Sequence, residues 1–463
     1  MINSYWPLLA ALALGGCVNL APDYERPAAP VSAQWLAQAD LPKGQVAADI
    51  KWQQFFTDHR LAQVQGLALE NNRDLRLASL NIQKAQAQYR IQRAEAFPQI
   101  DASASATHSR TPGSLSQNGT ALTSHDYSAQ LGLSSYELDL FGRVQNLQDE
   151  ALEDYLALTE TRRSTQISLV AEVATAWLTL AADSELHQLA EDTLTSQLAT
   201  YDLTQRSFAL GGSTALAVAQ AQTTVESARG DLAAYESQIL QDRNALRLLV
   251  GSDVPEGLLP TALEPSAALV DVPPGLPSSL LQQRPDVLSA EHTLKAANID
   301  IGAARAAFFP SITLTANAGS SSSALAGLFK SGSGAWTFAP SISVPIFDAG
   351  SRRATLDSAK VERDIQVQTY QQTLQTAFRE VADALAERST LDRRIAAQQA
   401  LTQASRKSFE LSDALYRGGS QSYLEALDAQ RSLYSAEQDL INLRLTEQSN
   451  RVTLYKVMGG GWN

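Results

Sequence analysis

The sequence contains a single cysteine, Cys17, in 463 residues. That excludes an intrachain disulfide framework and any cysteine-based metal cluster. Basic residues are also scarce: 36 Lys and Arg against 49 Asp and Glu give a formal net charge of -13. A surface of that sign repels phosphate, so no nucleic-acid partner is expected. Aromatic residues are only 7% of the chain, which argues against one large, densely packed globular core. Charged residues are 18%, below the roughly 25% usual for soluble domains. Gln, Ser, Thr and Asn take their place. Beyond residue 17 no unbroken apolar run reaches about 18 residues, so no transmembrane helix is expected. The stretch from Val170 to Ala182 is interrupted by Glu172 and Thr175.

Signatures of chemistry are missing too. The five histidines are His59, His108, His125, His187 and His292, and no pair has the helical spacing of metal ligands. There is no phosphate-binding glycine loop, no dinucleotide fingerprint and no nucleophile elbow. Asp and Glu are scattered along helical stretches, as on a solvated face. No catalytic residue, metal or cofactor is expected, and any transport must draw its energy from a partner.

The N-terminus carries the first positive signal. Residues 8–14 form a short apolar run followed by Gly15-Gly16-Cys17. The run is too short to span a bilayer and fits a signal-peptide core. Leu14-Gly15-Gly16-Cys17 resembles a bacterial lipobox, after which the cysteine is lipidated and becomes the mature N-terminus. Residues 1–16 therefore read as a signal peptide and Cys17 as the lipidation site. Residues 1–7 hold no Lys or Arg, a departure from the usual export signal. Val18 stands where an Asp would resemble an inner-membrane retention signal, which leans towards the outer membrane.

The chain also repeats itself. Phe97-Pro98 recurs as Phe309-Pro310, and Phe141-Gly142-Arg143 has a looser echo in Phe347-Asp348-Ala349-Gly350. The glycine pair after Ser207-Phe208-Ala209-Leu210, Gly211-Gly212, recurs as Gly418-Gly419 after Ala414-Leu415-Tyr416-Arg417. Leu249-Val250-Gly251 recurs as Val457-Met458-Gly459. A period of roughly 208 residues is far too long for a solenoid unit. It implies two copies of one domain-sized unit: repeat one over 58–251, repeat two over 278–463, and an extended N-terminal segment over 17–57. The linker 252–277 holds Pro255, Pro260, Pro265, Pro273, Pro274 and Pro277 and reads as extended.

Each repeat reads helix, strand, strand, long helix, return helix. Residues 67–96 lack Gly and Pro and predict one helix ended by Phe97-Pro98. Ile100, Ala102, Ala104 and Ala106 alternate with polar residues, as do Tyr127, Ala129, Leu131 and Leu133, which predicts two strands with unlike faces. Ser/Gly-rich loops cover 109–125 and, in repeat two, 320–334. The matching strands of repeat two carry Ile312, Leu314, Ala316 and Ala318, then Trp336, Phe338, Ile342 and Val344. Residues 144–210 and 351–417 contain neither Gly nor Pro. Each predicts a helix of about 100 Å at about 1.5 Å per residue. Glycine pairs end both, and return helices follow over 213–250 and 420–458. Narrow seams such as Leu147, Ala151, Tyr155 and Leu158, or Leu374, Ala377, Val381 and Leu385, suit coiled-coil neighbours.

Four strands cannot close a barrel, for which about eight is the practical minimum. Lipid does not tolerate open strand edges. Membrane strands of this number would have to be pooled from several chains. A small soluble sheet capping a helical bundle, or a poreless periplasmic coiled coil, accounts for the same periodicities.

The segment Cys17-Val18-Asn19-Leu20-Ala21-Pro22-Asp23-Tyr24-Glu25-Arg26-Pro27 resembles the lipoprotein start of TolC-like outer-membrane factors of RND-type multidrug efflux pumps. Leu427-Asp428-Ala429-Gln430-Arg431 and the terminal Leu454-Tyr455-Lys456-Val457-Met458-Gly459-Gly460-Gly461-Trp462 are similar to further signatures of that family. The resemblance covers nearly the whole chain and includes the duplication. It implies a mainly α fold with a small transmembrane β part, the TolC-like α/β-barrel. It implies a homotrimer in which twelve strands form one outer-membrane barrel in lipid and twelve helices a periplasmic tunnel. The partners implied are a periplasmic adaptor (membrane-fusion) protein and an inner-membrane proton-driven pump. The implied role is a passive exit duct for drugs or other small toxic solutes; the same fold also serves secreted proteins.

The resemblance assigns residues as well. Gly211, Gly212, Gly418 and Gly419 fall at the periplasmic tips where an adaptor would dock. Leu424, Asp428 and Arg431, at i, i+4 and i+7, share one helix face and match the closed periplasmic aperture, where a trimer would make apolar, acidic and basic rings. Tyr416 and Arg417 match a lock that holds the family's gate shut against an Asp on the neighbouring return helix. The position of that Asp is Ala217 here, which puts the lock in doubt.

Overall fold

The computed structural model describes residues 18–32, 47–116, 118–263, 269 and 278–462. Residues 1–16, read above as a signal peptide, and Cys17 lie outside the described residues, as does half of the Pro-rich linker. The chain divides into two compact units. The first comprises residues 1–28, 81–159 and 289–370, and the second residues 29–80, 160–288 and 371–463.

In chain order the larger elements are α1 (His59–Asn71), α2 (Arg73–Ala94), β1 (Asp101–Thr111), β2 (Leu122–Glu137), α3 (Arg143–Ala209), α4 (Ala215–Val250), α5 (Pro285–Ala306), β3 (Ser311–Ser322), β4 (Gly334–Ser343), α6 (Ser351–Arg417) and α7 (Tyr423–Val457). The two long helices each have 67 residues, because nothing in either stretch breaks the hydrogen-bond ladder. The single helix expected over 67–96 is instead two. Asn72 leaves helical geometry at φ -59° and ψ 135°. Its Nδ2 donates to Leu249 O at 2.8 Å, and its Oδ1 accepts from Leu75 N at 2.9 Å. It thereby closes α1 and caps α2. The loops between strands are shorter than expected, because hydrogen bonding extends further into the Ser-rich segments.

The first unit is built around one antiparallel sheet of order β1-β2-β3-β4. Register puts Ala102, Leu131, Ala318 and Trp336 side by side, with Leu133, Ala316 and Phe338 next to them on the same face. The other face carries Ser103, Gln130 and Gly319, then Ser105, Ser128 and Ser321. Ser105 and Ser128 share a hydrogen bond of 2.8 Å across it. A bulge at Ser134 and Ser135 adds one residue to β2 and re-aims its end. The apolar face is left bare within this unit: Trp336 is 78% and Phe338 60% exposed. Both β1 and β4 keep an unpaired edge.

A strap formed by residues 18–28 lies along α5. Arg305 and Asn298 donate to the carbonyls of Leu20 and Pro22 at 2.9 and 2.8 Å. Arg26 pairs at 2.8 Å with Glu291, which is only 3% exposed and also receives Tyr24 and Lys295. A Cβ on Gly302 would lie 2.7 Å from Ala21 N. Glycine is therefore the residue that lets the strap come this close. The N-terminal motif singled out in the sequence is thus a docked structural element.

The second unit holds the main hydrophobic core. α3 is the one described helix that by length and composition could cross a membrane. Its apolar stretch is instead covered by protein: Val170, Val173, Ala174, Trp177, Leu178 and Ala181 pack with Leu61, Val64, Leu246, Val452 and Tyr455. Phe55 stacks on Tyr455 at 4.0 Å, and the Tyr455 hydroxyl donates to Ile50 O at 2.6 Å. Arg284 binds Asp286, Glu380 and the carbonyl of Val457 at 2.8–2.9 Å. That tethers the start of repeat two to its own C-terminal helix.

Candidate functional site

The residues singled out in the sequence gather where the long helices of the second unit turn back. Both turns have the same geometry. After α3, Gly211 N donates to Phe208 O at 2.9 Å and Gly212 N to Ser207 O at 2.8 Å. After α6, Gly419 N donates to Tyr416 O and Ser420 N to Leu415 O, both at 2.9 Å. These are paired short and long return bonds around a left-handed residue, which satisfy the last helical carbonyls. The left-handed residue is Gly211 in the first turn, at φ +76°, and Gly419 in the second, at φ +72°. Gly212 and Gly418 do not have positive φ. The restricted position, two residues past the end of each long helix, is the same in both turns; it is the first glycine of one pair and the second of the other because the accompanying glycine has changed sides.

The chain then re-enters a helix. Thr214 caps α4, its hydroxyl accepting from Ala217 N at 3.2 Å. Ala217 packs with Tyr201 and Tyr416 around Ala221, Tyr423 and Leu427. Tyr416 is held by a hydrogen bond of 2.9 Å to the Thr204 hydroxyl and by the Tyr423 ring at 5.5 Å. The position where a lock would need a carboxylate is therefore an apolar contact. Arg417 donates to Asp413 on its own helix at 2.9 Å, and its side chain is 63% exposed.

On α7, Tyr423, Ala426, Leu427 and Gln430 face inward, and Gln430 donates to Ser196 at 3.2 Å. Leu424, Asp428 and Arg431 are exposed on the other side. Among the described residues no ion pair joins Asp428 to Arg431. The structure therefore brings Leu424, Asp428 and Arg431 onto one exposed face and keeps Tyr416 apart from them in a packed cluster.

Sequence reasoning missed a polar ladder further along the same helices. Tyr434 donates to Asp231 at 3.4 Å and Gln438 to the Tyr235 hydroxyl at 3.0 Å. Asp183 of α3 meets Asp242 of α4. Burial, with a hydrogen bond and charge repulsion from Asp242, pushes the Asp183 carboxyl up to about 7. Burial first, then Asp231, raises the Tyr434 phenol. The helix wall is thus sealed in part by polar groups, and no motif in the sequence announces these partners, which lie on separate helices.

A chain with two such repeats, a small amphipathic sheet and helices of this length has the architecture of an outer-membrane channel subunit. The sequence profile of the family described as "Outer membrane efflux protein" matches residues 64–252 and 276–460. The chain is 49% identical over 462 residues to the "Probable efflux pump outer membrane protein TtgC" of Pseudomonas putida, covering 98% of this chain and 94% of that one. It is 49% identical to the "Solvent efflux pump outer membrane protein SrpC" of Pseudomonas putida, covering 99% and 98%. It superposes on the open-state structure of the Neisseria gonorrhoeae MtrE outer membrane channel with a TM-score of 0.87, at 38% identity, covering 96% and 99%. The chain belongs to the outer-membrane efflux protein family, and its fold is TolC-like.

Proposed function

We propose that this chain is one of three identical subunits of a passive exit duct, the outer-membrane part of a tripartite efflux pump. The observation that carries this reading is the four-stranded sheet with two open edges, one apolar face and one polar face. In lipid such edges must be paired, and three copies supply twelve strands with room for a solute. The apolar face meets lipid, and the Ser/Gln/Asn face lines water. Loops 112–121 and 323–333 lie outside the cell, and the glycine-ended helix turns meet a periplasmic adaptor below. An inner-membrane pump, proton-driven in this reading, supplies the energy. The solutes are small and toxic, drugs or solvents among them, as the names of the relatives suggest. An acylated Cys17 supplements the barrel as an anchor.

Planar-bilayer recording together with native mass spectrometry of the detergent-extracted protein tests this. A trimer that conducts ions is the expected result. A stable monomer or dimer as the only species, or a trimer with no conductance under any voltage, would reject the duct.

A further inference from the structure

No two histidines share a helical metal-ligand spacing, but the sheet register brings two of them together. His108 of β1 and His125 of β2 are direct cross-strand partners. They stand on the face that carries Ala106 and Tyr127, at the turn end of the hairpin, with Arg110 and Thr123 as the next pair outward. Their Nδ1 atoms converge to 2.5 Å, and the rings lie 4.7 Å apart at 71°. The Tyr127 ring stands edge-on to His108 at 5.5 Å and walls the inner side. Both imidazoles are exposed; theirs is the face proposed to meet lipid, but they stand at its outer margin beside the loop, where Arg110 and Thr123 replace the apolar residues and water has access.

We propose that His108 and His125 form a two-nitrogen site for a divalent transition-metal ion of the Cu2+, Ni2+ or Zn2+ type. Imidazole nitrogen suits these ions, whereas Mg2+ and Ca2+ favour oxygen ligands. Metal–nitrogen bonds of about 2.0–2.1 Å, at angles between square and tetrahedral, place the two nitrogens about 2.9–3.4 Å apart. The rings need only swing apart by less than about 1 Å, and exposed side chains reach that by small torsional changes. Among the described residues no group of three or more His, Cys, Asp or Glu is placed to hold a metal ion. Asp126, adjacent to His125, pairs with Thr107 and so belongs to the opposite face. Water therefore fills the other coordination positions, a set that a tetragonal Cu2+ ion accepts best. The bound ion cross-links β1 to β2 beside the 112–121 loop. Arg110 on the same face opposes its charge.

The test uses the full-length, tag-free protein in detergent, titrated with Cu2+ and followed by electron paramagnetic resonance. One ion per chain, with two equatorial imidazole nitrogens, is expected. His108→Asn and His125→Asn should each lower affinity at least tenfold and leave one imidazole. His292→Asn, which removes a histidine bonded to Glu153 at 2.6 Å, should change neither. Diethylpyrocarbonate labelling of the wild-type protein, mapped by mass spectrometry, needs no variant: Cu2+ should protect His108 and His125 together. A one-nitrogen spectrum in the wild type, unchanged affinity in both variants, or labelling unaffected by Cu2+ would show that the pair shares only a proton, and the site would be rejected.

Discussion

Between Gly211 and Gly212 a single step along the chain changes what a side chain costs. Gly211 sits at φ +76° with open space around it, so the penalty for any other residue is in the backbone. Gly212 has ordinary φ, and an added Cβ would meet the Ser207 hydroxyl at 3.0 Å, a group that can rotate away, and the Ser207 carbonyl at an ordinary 3.6 Å. Gly211→Ala and Gly419→Ala should each destabilise their turn by about 1 kcal/mol. Gly212→Ala should cost a few tenths at most. Hydrogen exchange at the Gly212 and Ser420 amides measures this: roughly fivefold faster exchange is expected for the left-handed positions and little change for Gly212→Ala. Equal effects at Gly211 and Gly212 would show that packing decides. The repeat in the sequence located both turns. It did not reveal which glycine of each pair is the left-handed one, because backbone dihedral angle leaves no mark on a Gly-Gly pair: Gly211 and Gly419 both stand two residues past their helix, and the other glycine follows in the first turn and precedes in the second.

Elements were legible where breakers are absent and illegible where a distant partner acts. The 67-residue helices follow from the lack of Gly and Pro in α3 and α6. The break at Asn72 does not, since it depends on the carbonyl of Leu249. Strand pairing is in the same position: alternation predicted the strands, but only register sets His108 against His125. The Asp183–Asp242 contact between α3 and α4 was equally hidden, and it makes the stability of the helical unit depend on pH. The folded state holds the Asp183 proton more tightly than the unfolded chain, with the carboxyl at about 7. Its stabilising contribution is therefore complete below the ordinary carboxylate range, near about 4, and is lost as pH rises through about 7. Asp183→Asn keeps a hydrogen-bonding group without the titration. The thermal midpoint of the wild-type protein should fall further between pH 5 and pH 8 than that of the variant. An identical fall in both proteins would mean that the pair does not titrate in this range.

At the scale of the whole molecule, closure of the duct depends on which side chains reach the axis of the proposed trimer. Family membership was legible from the chain, and so was the reason to expect rings rather than Arg417 at the proposed gate, since Ala217 stands in the sequence; what each side chain touches was not. Leu424 is 55% exposed, and Asp428 and Arg431 share its open face. Around a threefold axis Leu424 gives an apolar ring and Asp428 three carboxylates that repel one another unless cations sit nearby. Arg431, one turn on, supplies those cations. Tyr416 is already satisfied by Thr204 and Tyr423. Arg417 is satisfied by Asp413 of its own helix, a partly exposed pair worth about 1 kcal/mol or less. With Ala217 in apolar contact at the position of the missing carboxylate, Arg417 has no acidic partner on α4. The rings should therefore carry the closure. Leu424→Ala combined with Asp428→Ala is expected to raise single-channel conductance several-fold. Arg417→Ala should leave it within a factor of about two, the scale of an exposed ion pair. Recording both variants in planar bilayers at the same salt concentration decides the matter. If Arg417→Ala opens the channel as far as the ring variant does, a contact made by Arg417 on a neighbouring subunit, and not the rings, holds the aperture shut.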